Sequence, residues 1–152
     1  MFEIREDDLL SEATKALLKL HLTGMHRNSP PGSVFALDLS GLQTPEVTVW
    51  SAWQKNQIMS VGALKMLDGR SAEIKSMRTH PDCLRKGAGA AILDHIIAIA
   101  GKRGVKRLSL ETGSGPAFEA ALALYRKRGF ANGPAFADYI PSAFNQFLHI
   151  DL

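Results

Sequence analysis

A glycine-rich turn between an apolar strand and an apolar helix is the feature that most restricts how this chain can fold. The strand, residues 72–79, is followed by the turn LRKGAGA at 84–90, and the next residues carry apolar side chains at helical spacing as far as Lys102. Residues 107–112 then return to the pattern of a strand. Because a crossover of this kind joins parallel strands with a right-handed connection, we expect both strands to lie in one sheet.

Hydrophobic spacing and breaker residues predict the other elements. Strands and helices are interspersed along the chain, so we expect one α/β (α+β) domain over residues 1–152, with a mixed central sheet and helices on both faces. The predicted strands are 2–5, 47–53, 57–67, 136–139 and 144–150, and the predicted helices are 8–24, 34–42 with Ser33 as its cap, and one that begins at Pro116 and ends before Gly129.

The start of the helix after the glycine turn is suited to a phosphate ligand. Backbone N–H groups in the first turn of a helix are unpaired and carry partial positive charge, and Gly87 and Gly89 add no side chains that would block an anion. Arg85 and Lys86 add positive charge beside them. Close packing of helix on sheet is the alternative explanation for these glycines. The two common nucleotide motifs are excluded, because Ile92 replaces the third glycine of the dinucleotide fingerprint and no P-loop sequence is present.

Charge, cysteine content and the N-terminal segment argue against several classes of protein. The formal net charge is +3 and most Lys/Arg clusters stand where we expect helices to end, so no nucleic-acid partner is predicted, although a nucleic-acid-binding domain stays as an alternative. Cys83 is the single cysteine, and the histidines lack ligand spacing, so neither a disulfide nor a metal site is expected. An acidic N-terminal segment without a long apolar run predicts a cytoplasmic protein with no membrane partner.

Two motifs resemble those of the GNAT superfamily of N-acetyltransferases. The strand AEIKSMRT at 72–79 and the turn at 84–90 are similar to its motif A, Gln/Arg-x-x-Gly-x-Gly/Ala, although Leu84 stands where Gln or Arg is usual. The segment ALALYRKRGF at 121–130 is similar to its motif B, Leu-Tyr-x-x-x-Gly-Phe. The resemblance covers essentially the whole chain and is nearest to the bacterial YsnE-like branch, which has stretches similar to SPPGSVFALDL and RLSLETGS. It implies the GNAT fold, with a splayed pair of parallel strands.

By this resemblance acetyl-CoA is the co-substrate, and the coenzyme enters between the two parted strands. Backbone groups of Met77 and Thr79 would bond the pantetheine arm, and an N–H near Met77 or Arg78 would polarise the thioester carbonyl. The residues that the resemblance implies for cofactor binding are Met77, Arg78, Thr79, Arg85, Lys86, Gly87, Ala88, Gly89, Ala90 and Phe118.

The resemblance also implies a general base and a general acid. An amine with a pKa of about 10.4 is protonated at neutral pH, so a base must accept its proton before attack. Glu73 stands on the strand where histone-acetylating members carry their catalytic glutamate, and Tyr125 stands at the motif B position of the acid. The alternative for Glu73 is a salt bridge with Lys75 or Arg70, or a solvated strand face, and the alternative for Tyr125 is a ring packed in the core.

The sequence defines the acceptor side less closely. Ser29, in the proline loop 29–33, and Phe35 occupy the place where the family builds its acceptor wall, and the alternative is an ordinary connection between helices. Glu111 either faces substrate or coenzyme, or ends its strand before a helix cap. We expect an N-acetyltransferase that transfers an acetyl group directly, in a ternary complex, to a primary amine of a small molecule or amino acid. A non-catalytic acyl-CoA-binding module and a protein N-acetyltransferase are the alternatives, and a homodimer is expected by analogy with the superfamily.

Overall fold

A seven-stranded mixed sheet forms the centre of the computed structural model, which describes all 152 residues. The strands, in chain order, are β1 (Glu3–Glu6), β2 (Val47–Gln54), β3 (Gln57–Met66), β4 (Ser71–Thr79), β5 (Arg107–Thr112), β6 (Ala131–Asn132) and β7 (Gln146–Asp151). The helices are α1 (Glu12–Asn28), α2 (Leu39–Leu42), α3 (Ala88–Lys102) and α4 (Glu119–Lys127). The strands lie side by side in the order β1-β2-β3-β4-β5-β7-β6, and only β4 and β5 run parallel.

Helices cover both faces of the sheet, because successive side chains of a strand point to opposite sides. On one face α3 buries Ile92 and Ile96 in the larger core cluster, and on the other α1 buries Leu17 in a second cluster. The alternation is visible in β2, where Val49 belongs to the second cluster and its neighbour Trp50 to the first. The structure therefore confirms the predicted mixed sheet between two layers of helix. None of the helices has both the length and the apolar composition needed to cross a membrane.

Helix α1 begins and ends later than the predicted range of 8–24. Ser11 is its N-cap, and the Ser11 side chain accepts a hydrogen bond from the Thr14 N–H at 3.2 Å. Gly24 lies inside the helix instead of ending it. The helix continues to Asn28, whose side-chain amide donates to the Gly24 carbonyl at 2.8 Å.

The predicted helix at 34–42 is wrong over most of its length. Only the single turn α2 is helical, because Asp38 is the N-cap and its carboxylate accepts a hydrogen bond from the Gly41 N–H at 2.9 Å. Ser33, the predicted cap, instead closes the preceding proline turn by donating its N–H to the Pro30 carbonyl at 3.0 Å.

The predicted strand at 136–139 is also wrong. The segment is a turn in which the Tyr139 N–H donates to the Phe136 carbonyl at 3.2 Å. Its two rings pack on each other with centroids 5.1 Å apart, and both pack on Phe147 of β7. Aromatic packing, not strand pairing, therefore explains the apolar character of this segment. The strand that pairs with β7 at this edge is the two-residue β6.

Candidate active site

Strands β4 and β5 lie side by side only at their N-terminal ends. Residues 71–73 pair with 107–109, and beyond these residues the two strands part. β4 continues against β3 and β5 continues against β7, so a cleft opens between them. The cleft has a volume of about 590 Å³, a size typical of small-molecule sites. The predicted splayed pair is thus present.

A β-bulge bends β4 where it leaves β5. Ser76 and Met77 lie opposite the single residue Gly62 of β3, and Ser76 has a left-handed φ of 56°. The Ser76 hydroxyl is buried and has no hydrogen-bond partner in the chain, although the residue lines the cleft. A buried hydroxyl is unfavourable unless something supplies a partner, so Ser76 is suited to contact a ligand. Nothing in the sequence marks this serine.

The glycine turn presents free backbone N–H groups at the cleft. Gly87 is the N-cap of α3, with a φ of 87°, and the helix makes its first hydrogen bond from the Ala91 N–H to the Gly87 carbonyl at 2.9 Å. The N–H groups of 87–90 have no acceptor within the chain. Arg85 lines the cleft beside them. This arrangement is suited to bind the phosphates of a nucleotide-type coenzyme.

Close packing of helix on sheet, the alternative explanation for the two glycines, holds for Gly89 but not for Gly87. A Cβ on Gly89 would lie 3.0 Å from Thr79 Oγ1, so this glycine does allow close packing of α3 on β4. A Cβ on Gly87 would meet only Phe2, at 3.9 Å, so packing does not require a glycine there. The left-handed backbone conformation of Gly87 explains the glycine instead, because this conformation favours a residue without a Cβ.

The cleft brings together most of the predicted site residues. Glu73, Tyr125 and Glu111 line it, together with these residues predicted to bind the cofactor: Met77, Arg78, Thr79, Arg85, Gly87, Ala88, Gly89, Ala90 and Phe118. Lys86, Ser29 and Phe35 are not part of the lining. The last residue of α1, Asn28, and Ala36 in the connection after it line the cleft instead.

Glu73 is buried in a hydrogen-bonded cluster with Lys75 and Tyr139. Its Oε2 accepts from Lys75 Nζ at 3.2 Å and from the Tyr139 hydroxyl, and Lys75 Nζ also donates to Tyr139 Oη at 2.9 Å. Glu73 thus forms an ion pair with Lys75, one of the two salt-bridge partners that the sequence suggested as an alternative to a catalytic role. Phe35 reaches this cluster indirectly, because its ring packs edge-to-face on Tyr139 with centroids 5.2 Å apart.

Glu111 lies on the other strand of the cleft and forms no salt bridge. Burial raises the pKa of Glu111 to about 7, with Lys75 opposing the rise and Glu73 adding to it. A carboxyl group with such a pKa is partly ionised at neutral pH and can accept a proton there. The structure therefore offers Glu111 as a second candidate for the base.

Tyr125 combines core packing with access to the cleft. Its ring packs on Phe130 with centroids 5.9 Å apart, and the residue lines the cleft from α4. Burial raises the pKa of Tyr125 above its ordinary value, so the hydroxyl stays protonated at neutral pH. A role as general acid and a role as a ring packed in the core are thus compatible for Tyr125.

Arg78 and His21 form a pair on the α1 side of the cleft. Arg78 Nε donates to His21 Nδ1 at 3.0 Å, and both residues line the cleft. Burial, reinforced by Arg78 and Lys75, lowers the pKa of His21 to about 3, so its imidazole is neutral and accepts this bond. His21 was not predicted from the sequence. The one indication is that it lies at helical spacing from Leu17, on the buried face of α1.

A cleft between parted parallel strands, with free N–H groups and titratable side chains along it, is the arrangement expected of a coenzyme-dependent acyltransferase. Residues 12–130 match the description "Acetyltransferase (GNAT) family". The chain belongs to this family and is an acetyltransferase.

The chain is similar to two curated proteins named as uncharacterized N-acetyltransferases. YedL of Escherichia coli (strain K12) is 47% identical over 152 residues, which are 100% of this chain and 96% of that protein. YsnE of Bacillus subtilis (strain 168) is 50% identical over 136 residues, which are 90% of each chain. Among solved structures, a Bacillus subtilis acetyltransferase in complex with CoA shares the fold with a TM-score of 0.74 at 19% identity, over 100% of this chain and 99% of that one. These similarities confirm the predicted family and its YsnE-like branch.

Proposed function

We propose that residues 1–152 act as one unit that transfers an acetyl group from acetyl-CoA directly to a primary amine of a small molecule or amino acid, in a ternary complex. The observation that carries the proposal is the row of free N–H groups at 87–90, which opens on the same cleft as Glu73, Glu111 and Tyr125. The Bacillus subtilis acetyltransferase with the same fold was crystallised in complex with CoA, which supports the coenzyme.

In the proposed reaction the amine nitrogen attacks the thioester carbon and the carbon–sulfur bond breaks. Backbone groups of Met77 and Thr79 bind the pantetheine arm, and an N–H at the bulge bonds the carbonyl oxygen as negative charge develops there. A carboxylate, Glu73 or Glu111, accepts the proton that the amine loses. Tyr125 donates a proton to the departing thiolate, so the products are an N-acetyl compound and coenzyme A.

The test is a panel of primary amines with acetyl-CoA, with the release of free thiol as the readout. We expect amine-dependent release of thiol for at least one class of acceptor. Peptides are included in the panel, so that acetylation of small molecules can be distinguished from acetylation of proteins. Tight coenzyme binding without turnover of any acceptor would favour the non-catalytic module. That module needs no base, whereas this cleft contains a carboxyl group with a pKa of about 7. The expected homodimer stays a prediction, to be checked by the molecular mass in solution.

Replacing Tyr125 with phenylalanine should lower kcat about tenfold and leave KM for acetyl-CoA unchanged. The effect is below the usual range for a general acid, roughly a hundredfold to ten-thousandfold, because a thiol with a pKa of about 8.5 is already a fair leaving group. Phenylalanine keeps the ring contact with Phe130, so the thermal unfolding midpoint should not change by more than about 2 °C. An unchanged kcat would remove the hydroxyl from the reaction and leave Tyr125 with its packing role.

A further inference from the structure

Not every charged group that lines the cleft has a partner. Glu73 is paired with Lys75, and Arg85 belongs to the glycine turn. Arg78 on β4 and Glu111 on β5 are different, because neither lies within salt-bridge distance of an opposite charge. The two parted strands therefore each carry into the cleft one group without an ion-pair partner, a guanidinium on β4 and a carboxyl group on β5.

The Arg78 guanidinium is held in a fixed position against α1. Its Nε donates to His21 Nδ1 at 3.0 Å and its Nη2 donates to the His21 carbonyl at 3.5 Å. Gly24 allows this approach, since a Cβ at that position would lie 3.0 Å from Nη2. A guanidinium has five N–H donors, and those on Nη1 have no acceptor in the chain. The free edge of this fork therefore remains available for a planar anion.

No neighbouring group neutralises Arg78. His21 is uncharged, because its pKa is lowered to about 3, and burial lowers the pKa of Arg78 itself. Tyr125 is near enough to favour the charged guanidinium, but its phenol is protonated. A partly buried cation without a counter-charge is unfavourable, and an anionic ligand group would relieve that cost.

The Arg78 guanidinium is not placed to bind the pyrophosphate of the coenzyme. Neighbouring residues of a strand point to opposite faces, and Thr79 Oγ1 lies against Gly89 in the first turn of α3. Arg78 points the other way, to His21 of α1. The free N–H groups at 87–90 and the Arg78 guanidinium thus serve opposite faces of β4, so they meet different parts of the bound molecules.

We propose that Arg78 binds a carboxylate of the acceptor, so that the acceptor is a free amino acid or a similar small amine that carries a carboxylate. This inference rests on the proposed acetyl transfer and narrows its substrate class. The carboxylate pairs with Arg78 on β4 while the amine faces the acidic side of the cleft at Glu111. A zwitterionic acceptor thereby pairs with both of these groups. The N-terminal residue of a protein has its carboxyl group in a peptide bond, so it lacks the group that Arg78 recognises.

The experiment compares free amino acids with their own carboxamides as acceptors. Each pair has the same amine and side chain and differs only in the carboxylate, and a dipeptide with the same first residue forms a third arm. The variants are Arg78→Gln, which still donates a hydrogen bond to His21, and Arg78→Lys, which keeps the charge. Arg107→Gln is the control, since Arg107 is an exposed arginine paired with Asp151 at the closed end of β5. Thiol release gives kcat and KM, and calorimetry gives the Kd for coenzyme A.

We expect the wild type to prefer the best amino acid over its carboxamide by about tenfold to hundredfold in kcat/KM, the scale of a charge-assisted pair. Arg78→Gln should abolish this preference through KM for the amino acid. The Kd for coenzyme A should stay the same, because the coenzyme contact predicted at residue 78 is its backbone N–H, which the substitution keeps. Arg78→Lys should keep part of the preference, and Arg107→Gln all of it.

Several results would overturn the inference. Equal use of amino acid and carboxamide by the wild type would show that no carboxylate is recognised. An equal loss for both acceptors in Arg78→Gln, or a weaker Kd for coenzyme A, would assign Arg78 to structure or to the coenzyme. Turnover of simple amines or peptides alone would reject amino acids as acceptors while the acetyl transfer stands, and no turnover of any acceptor would reject both.

Discussion

Glutamine in place of Glu111 is expected to lower kcat/KM by about a hundredfold to ten-thousandfold, the range for loss of a general base. The wild-type rate should rise with pH through about 7, because the Glu111 carboxyl has a pKa of about 7 and accepts a proton only when ionised. The variant should lack this rise. The remaining increase belongs to the amine, which loses its proton near about pH 10, so this increase is separable from the first step. The measurement is kcat/KM between about pH 5 and 9.

Glu73→Gln is the matched comparison, because it changes the other carboxylate of the cleft in the same way. The rate of this variant should still rise with pH, but the midpoint of the rise should lie at a lower pH than in the wild type. The reason is that the Glu73 charge is one of the causes that raise the pKa of Glu111. The variant should also be less stable, because it leaves the ammonium of Lys75 buried without its carboxylate. A thermal unfolding curve separates this loss of stability from a loss of catalysis.

The opposite pattern would assign the base to Glu73, the residue that the sequence resemblance indicates. In that case Glu73→Gln would lose the rise with pH and Glu111→Gln would keep it. If kcat/KM still rose with pH in both variants, neither carboxylate would be the base, and water would accept the proton of the amine.

The glycine turn and its neighbouring elements could be predicted because the signals are local. Helical spacing of apolar residues, glycines at the start of the helix and a strand pattern on either side are each set by a few adjacent residues. The crossover rule then places β4 and β5 next to each other and parallel, as observed. The motif resemblance adds the parting of the strands, which local rules do not contain.

The errors arise where two local signals compete. Both Ser33 and Asp38 are suitable caps, and which of them starts a helix depends on the turn that Pro30 forms before them. The aromatic segment at 136–139 has the composition of a strand, but its rings find partners on the sheet face and not along an edge. Composition alone does not distinguish these outcomes, because both bury the same apolar surface.

The chemistry of the cleft depends on contacts between residues far apart in the chain. Tyr139 donates to Glu73 and His21 accepts from Arg78, and neither pairing has a signature in the spacing of residues. Burial and neighbouring charge set the ionisation of a carboxyl group, so Glu111 cannot be ranked as a base before the fold is known. The sequence thus locates the site, while the division of roles inside it requires tertiary structure.

Replacing Gly87 with valine should weaken coenzyme A binding by about a hundredfold or more. Gly87 has a φ of 87°, a conformation that costs a residue with a Cβ about 1–2 kcal/mol and a β-branched residue more. Relief of that strain turns the first residues of α3 and misaligns the free N–H groups at 87–90. Two lost hydrogen bonds to charged phosphate, at about 1.5–3 kcal/mol each, correspond to a factor of roughly a hundred or more in Kd. Calorimetry with coenzyme A measures the change.

Gly104→Val separates this effect from a general loss of stability. Gly104 follows the other end of α3, has a nearly identical φ of 82°, and a Cβ there would meet nothing within 4 Å. The strain is therefore the same in kind, and both variants should lower the thermal unfolding midpoint by about 2–8 °C. Only the N-terminal substitution should change the Kd for coenzyme A, because only that end of the helix has unpaired N–H donors. If both variants lost affinity equally, helix stability and not the orientation of these N–H groups would control binding, and the phosphate role of the glycine turn would fail.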